Sequence, residues 1–211
     1  MSSLFLPGWG APGALYASGL PDGWRALEPP RLGRAEPTFG SYLVWLLAEL
    51  ESLRGPVALA GHSMGGALAL AAAARRPDRI RRLVLLSPAG LPLTKPVRRS
   101  LADFAGQLAS RRYPARQAAP AIAAALRAPR TAWRLALSVR SLDLSAEMRR
   151  VSAAGIDTTV VGCSTDTLVT AAHCRRAADL LGARYRELPL AGGHMWMLDA
   201  WPTLAAQLAA I

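Results

Sequence analysis

Gly61-His62-Ser63-Met64-Gly65-Gly66 is the stretch whose reading decides the fold of this 211-residue chain. It has the form Gly-x-Ser-x-Gly. An apolar run, Val57-Ala58-Leu59-Ala60, precedes it and predicts a buried strand; an Ala/Leu-rich run, Ala67 to Ala74, follows it and predicts a helix. A serine on a tight strand-to-helix turn is held clear of the backbone with its hydroxyl exposed. Glycines at 61 and 65 leave room for such a turn, where a Cβ would clash. The helix beginning beside Ser63 also aims its unsatisfied N–H groups and positive dipole end at the place where negative charge would develop. Gly-x-Ser-x-Gly on its own is common in loops, so the flanking elements and the partners of the serine carry the argument.

A nucleophilic serine needs a base and an orienting acid. The chain has three histidines. His62 is next to Ser63 in sequence, which suits a packing or hydrogen-bonding residue under the turn. His173 lies in a helical stretch, Thr170–Leu181, and suits a solvated or capping role. His194 follows a predicted strand, 184–188, and the glycine pair Gly192-Gly193. That puts it at the carboxyl edge of a sheet, where ligands gather in open parallel sheets. The acid should precede it and follow a strand as well. Asp166 does so, just beyond Thr158-Thr159-Val160-Val161-Gly162. Asp157 falls at the start of that strand, Asp199 comes after the histidine, and the position after 83–86 holds Ser87, not a carboxylate.

The order Ser63, Asp166, His194 is that of the α/β-hydrolase superfamily, which the chain resembles over nearly its whole length. Leu6-Pro7-Gly8-Trp9-Gly10 looks like that family's His-Gly-Trp-Gly turn after an early strand. Arg76-Pro77-Asp78 through Leu86 and Gly193-His194 through Trp201-Pro202 look like two of its other recurrent runs. The resemblance implies an α/β fold: a mostly parallel sheet of about six strands lacking the N-terminal hairpin, plus a helical cap. It implies Ser63 as nucleophile, His194 as base, Asp166 as its orienting acid, and an oxyanion hole from the backbone N–H groups of Met64 and Trp9. Two departures stand out. Pro7 replaces the histidine usual in the oxyanion turn, and only Met1–Leu4 precede that turn, so the first sheet edge is trimmed.

Length suits one compact domain with a substantial core. Strands are expected near 3–6, 25–28, 57–60, 83–86, 157–161 and 184–188, and helices near 41–53, 65–75, 170–181 and 203–210; this alternation argues for a parallel sheet. Residues 92–150 break the pattern with helical pieces cut by Pro96, Pro114, Pro120 and Pro129. In the resembled family an insertion here is the cap, so the expected division is a core of 1–91 and 151–211 around a cap of 92–150. The cap carries 12 Lys and Arg against Asp103, Asp143 and Glu147, a balance of +9 within a chain of net charge +11. Trp9, Trp133, Met195 and Trp196 are candidates to line an apolar acyl pocket.

The implied chemistry is that of a serine hydrolase cleaving a carboxylic ester through an acyl-enzyme; a thioesterase or C–C bond hydrolase with the same triad, or a non-hydrolytic cyclase or binding member of the fold, are the alternatives. No cofactor and no metal is called for, as there is no HExxH and no His or Cys cluster. The expected partner is a small acyl ester or thioester. Gly8-Trp9-Gly10 and the basic cap also resemble biotin-pathway carboxylesterases, which act on carrier-bound esters, so an acidic carrier protein is a second partner. Aromatics at 6% and the lack of a binding motif argue against nucleic acid. Val57–Ala74 is apolar but contains the Ser63 turn, so it reads as core and not as a membrane span. Cys163 and Cys174 read as free core thiols of a reducing compartment, and with no signal peptide in view the expected location is cytoplasmic.

Overall fold

The computed structural model describes residues 2–31, 38–93, 95–109, 119, 123 and 126–209. Its centre is a six-stranded sheet of β1 (Ser3–Leu6), β2 (Trp24–Ala26), β3 (Val57–His62), β4 (Ile80–Leu86), β5 (Asp157–Cys163) and β6 (Arg184–Leu188). The order across the sheet is β2-β1-β3-β4-β5-β6, and all five pairings are parallel. The chain runs outward from β1 to the edge at β2, then crosses back to β3 and proceeds the other way. The reversal point therefore lies between β1 and β3, the position at which open parallel sheets bind ligands beyond the carboxyl ends of their strands.

A parallel sheet needs helices on both faces, because crossover connections put them there. α2 (Phe39–Glu51), α3 (Met64–Arg75), α6 (Ser145–Ala153) and α7 (Ala171–Leu181) cover one face, with Leu46, Leu68, Met148 and Cys174 meeting Leu4, Leu6, Leu59, Leu83, Leu85 and Val160. On the other face α1 (Ala14–Ala17), α8 (Trp196–Asp199) and α9 (Trp201–Ala209) place Tyr16, Trp196, Met197, Leu204 and Leu208 against Phe5, Ala60, Val84 and Val161. Successive strand residues split cleanly between the two layers, as the period of two requires. All six residues of β3 are buried, which is why Val57–Gly61 is an unbroken apolar run and not an alternation.

The helix boundaries follow local chemistry. α2 starts at Phe39, two residues earlier than its apolar run suggests, because Thr38 caps it by accepting from the Ser41 N–H at 3.4 Å. α7 starts after Thr170, which caps it in the same way, and ends at Gly182 in the left-handed conformation, φ 58°. Within the expected cap, α4 (Val97–Ala109) and α5 (Pro129–Arg140) are helical, while residues 94, 110–118, 120–122, 124 and 125 lie outside the described residues. The expected cap boundary at 150 falls inside α6. That helix packs on α3 and α7 through the buried Met148 and Val151, so it is a layer of the core. Cys163 and Cys174 are buried and free, and among the described residues no helix is long and apolar enough to cross a membrane.

Candidate active site

Ser63 sits between β3 and α3 at φ 54°, ψ −116°. A non-glycine residue with positive φ is strained by its own Cβ, and here the surroundings fix it. Its N–H donates to the Leu86 carbonyl at 3.0 Å, and its carbonyl accepts from Ala67 at 3.1 Å and Ala89 at 3.0 Å. The neighbouring glycines are required by close packing. A Cβ on Gly61 would come within 2.3 Å of the Gly65 carbonyl oxygen, and one on Gly65 within 2.3 Å of the Leu6 carbonyl oxygen. The second contact shows how near the loop after β1 passes. Gly8 of that loop is close enough that a Cβ would reach His62 Nδ1 at 3.0 Å and Ser63 Cβ at 3.6 Å. Met64 is the first residue of α3, where backbone N–H groups have no intrahelical acceptor. Trp9, half-buried, donates its indole Nε1–H to the Ala132 carbonyl of α5 at 3.2 Å.

Ser63, Asp166 and His194, more than a hundred residues apart at the extremes, meet at the carboxyl edge. His194 Nε2 lies 3.0 Å from Ser63 Oγ, and its Nδ1 lies 2.7 Å from Asp166 Oδ2. Asp166 and His194 are both buried. The other carboxylate oxygen, Asp166 Oδ1, accepts from the N–H groups of Leu168 and Val169 at 2.9 Å each. Burial opposes ionisation of Asp166, but His194 and these two backbone donors outweigh it and hold the carboxyl below the usual carboxylate range. An ionised Asp166 fixes the proton of His194 on Nδ1 and leaves Nε2 free to accept from the Ser63 hydroxyl.

The two loops that bring acid and histidine are braced to each other. Thr165 Oγ1 donates to the Leu190 carbonyl at 2.5 Å and accepts from the Gly193 N–H at 3.1 Å. Gln107 of α4 reaches the same place: its Oε1 accepts from the His194 N–H at 2.9 Å, and its Nε2 donates to Thr167 Oγ1 at 3.4 Å. Gly193, at φ 60°, leaves room for that amide, since a Cβ would meet Gln107 Oε1 at 2.9 Å. From below, His62 donates Nε2–H to the His194 carbonyl at 3.0 Å and accepts at Nδ1 from the Tyr16 hydroxyl at 3.1 Å. Burial, then the charge of His194, pushes the His62 pKa down to about 3, and burial pushes the Tyr16 hydroxyl up. Both stay neutral at ordinary pH, as this donor–acceptor chain requires.

Of the four residues expected to line a pocket, Trp9 and Met195 are half-buried beside the site loops. Trp133 is exposed on α5. Trp196 has no accessible surface and packs in the second core layer against the strands, so its place is structural. The residues that sequence reasoning missed are Gln107, Thr165 and Tyr16. Thr165 is adjacent to Asp166 and could have been suspected; nothing local marks Gln107 or Tyr16, which reach the site only through packing. Among the described residues, no group of three or more His, Cys, Asp or Glu side chains forms a metal-binding cluster.

The model of the alpha/beta hydrolase family matches residues 4–207. The chain belongs to that family. Among curated proteins, a segment of 35 residues is 60% identical to Lipase LipV of Mycobacterium tuberculosis, spanning 17% of this chain and only 13% of that protein. Solved structures show the same fold at low identity. An enol-lactonase from Burkholderia xenovorans LB400 superposes with a TM-score of 0.73 at 20% identity, covering 99% of this chain and 90% of the other. A lipase-esterase related protein from Clostridium acetobutylicum ATCC 824 superposes with a TM-score of 0.76 at 14% identity, covering 99% and 93%.

Proposed function

We propose that this member of the alpha/beta hydrolase family is a serine hydrolase that cleaves a carboxylic ester through an acyl-enzyme. The observation that carries the reading is the continuous relay from Ser63 Oγ through the His194 ring to Asp166, with links of 3.0 and 2.7 Å. In this reading His194 Nε2 takes the Ser63 proton as Oγ attacks the acyl carbonyl. Asp166 holds the imidazole tautomer and stabilises the imidazolium. The tetrahedral oxyanion is met by the backbone N–H of Met64 at the α3 terminus and that of Trp9, each worth on the order of 10²–10³ in turnover. Protonated His194 then returns its proton to the leaving alcohol. Water enters, gives a proton to the same nitrogen as its oxygen bonds the acyl carbon, and His194 returns that proton to Ser63 Oγ as the Oγ–acyl bond breaks and the acid leaves.

Pro7 is compatible with this scheme, because a backbone N–H from the following loop needs no histidine side chain. The acyl chain is received between the Trp9 loop, Met195 and the cap helices α4 and α5. An acidic carrier protein bearing the acyl group is a further part of the proposal, resting on the charge of the cap as a whole.

The test is hydrolysis of a short-chain p-nitrophenyl ester. Ser63→Ala is expected to lower kcat by about 10⁵-fold or more, with an unchanged melting temperature. A serine-reactive phosphonate should label Ser63 alone, located by peptide mass. A folded Ser63→Ala protein that keeps wild-type turnover, or labelling at another serine, removes the proposal.

A further inference from the structure

Three of the four large apolar side chains exposed among the described residues fall within one short run: Leu126, 74% exposed, Trp133, 44%, and Leu137, 38%. The run Leu126–Arg140 contains Arg127, Arg130, Arg134 and Arg140 and no carboxylate. On α5 the spacing 130, 133, 134, 137 places Arg130, Trp133, Arg134 and Leu137 on one face, an arc of about 100°. All four are exposed, whereas Ala132 and Leu135 on the other side are buried. Leu126 and the exposed Arg127 continue the same chemistry at the N-terminal end of the helix. Arg140 is turned to structural use, donating to Ser100 Oγ and the Leu93 carbonyl at 3.0 Å each.

We infer that this face of α5 is a docking surface for an anionic lipid interface. A convex helix face with an indole and a leucine between arginines suits a planar boundary of apolar chains and negative headgroups. The ring and Leu137 enter the acyl border while the guanidinium groups stay with the headgroups. An acidic protein would be drawn to the arginines but gives no reason for three large apolar side chains to stand in water beside them. No helix among the described residues is long and apolar enough to cross a membrane; a helix lying on a surface is a different mode. The face is also tied to the candidate active site. The Ala132 carbonyl, on the inner side of the same helix, holds the Trp9 indole at 3.2 Å, so the helix that docks is in direct contact with the Trp9 loop. The docking itself does not depend on the hydrolase reading.

The experiment is co-sedimentation of the full chain with vesicles of phosphatidylcholine alone or mixed with phosphatidylglycerol. Binding is expected only to the mixed vesicles and to be lost in high salt. Arg130→Gln/Arg134→Gln should lower the partition coefficient by about thirtyfold, with the circular dichroism and the hydrolysis of a soluble short-chain ester unchanged. Trp133→Ala should weaken binding as well, and the blue shift of fluorescence on vesicle binding should shrink with it. Equal binding to both vesicle types overturns the inference. So do absence of binding to the mixed vesicles, binding that ignores these substitutions, and binding to an acidic protein but not to vesicles.

Discussion

Ser63 and His62 are neighbours in the chain and serve opposite ends of one residue. Ser63 Oγ meets the His194 ring, while the His62 ring holds the His194 backbone carbonyl. The motif reading gave Ser63 its place from local chemistry alone, and it gave His62 a hydrogen-bonding role without naming the partner, which lies 132 residues away. The burial of His62 has a cost that depends on pH. Its folded pKa, about 3, is below the ordinary 6.5, so below pH 6.5 the unfolded chain binds a proton that the native state refuses. Stability contributed by this group is therefore complete above that pH and falls as pH drops toward 3, with a slope of about 1.4 kcal/mol per pH unit. In His62→Gln, which keeps a donor for the His194 carbonyl, that part of the slope should vanish. Urea midpoints measured between pH 7 and pH 4 for both proteins check it; parallel curves would show that His62 does not titrate on unfolding.

At the scale of elements, the site is an agreement between strand ends. β3, β5 and β6 run parallel, so their carboxyl ends deliver Ser63, Asp166 and His194 to one edge. The remaining freedom is that of the loops, and Thr165 and Gln107 remove it by bridging the loop after β5 to the loop after β6. Gln107→Ala deletes the contact between α4 and the His194 N–H. In the serine-hydrolase reading, kcat for a short ester should fall by about tenfold to a hundredfold, since a misplacement near 1 Å has that effect. The melting temperature should move by little. Gln107→Glu keeps the acceptor and should recover most of the rate. Loss of stability in step with loss of rate would instead mark Gln107 as a packing residue. The Gln107 contact was not legible beforehand. A glutamine in an Ala/Leu/Arg-rich helix carries no signal until folding sets it 87 residues away, against the histidine loop.

For the whole molecule, the charge distribution is the dominant long-range property. The net charge is +11, and the described part of the cap exposes Arg98, Arg99, Arg127, Arg130 and Arg134. Lys95 is partly neutralised by its ion pair with Asp103. Such a field raises the encounter rate of anions and is screened over about 10 Å at 0.1 M salt. Catalytic efficiency toward a dianionic acyl ester should fall by about tenfold between low and high salt, while that toward a neutral ester stays flat. Steady-state kinetics over a sodium chloride series decide it, and equal slopes for the two esters would show that the field does not steer substrate.

The amino-acid sequence by itself determined the layered α/β architecture and the order of its strands along the chain. It also determined the strained serine turn and the identity of the three residues that converge on it. These are readable because hydrophobic period, glycine at tight turns and motif order are local or ordinal properties. Only the tertiary structure decided that Trp196 belongs to the core and that His62 and Tyr16 brace the histidine loop. It alone brought Gln107 to that loop and turned Trp133 and its arginines toward solvent. Those outcomes depend on which surfaces face each other after packing, and no spacing along the chain encodes that.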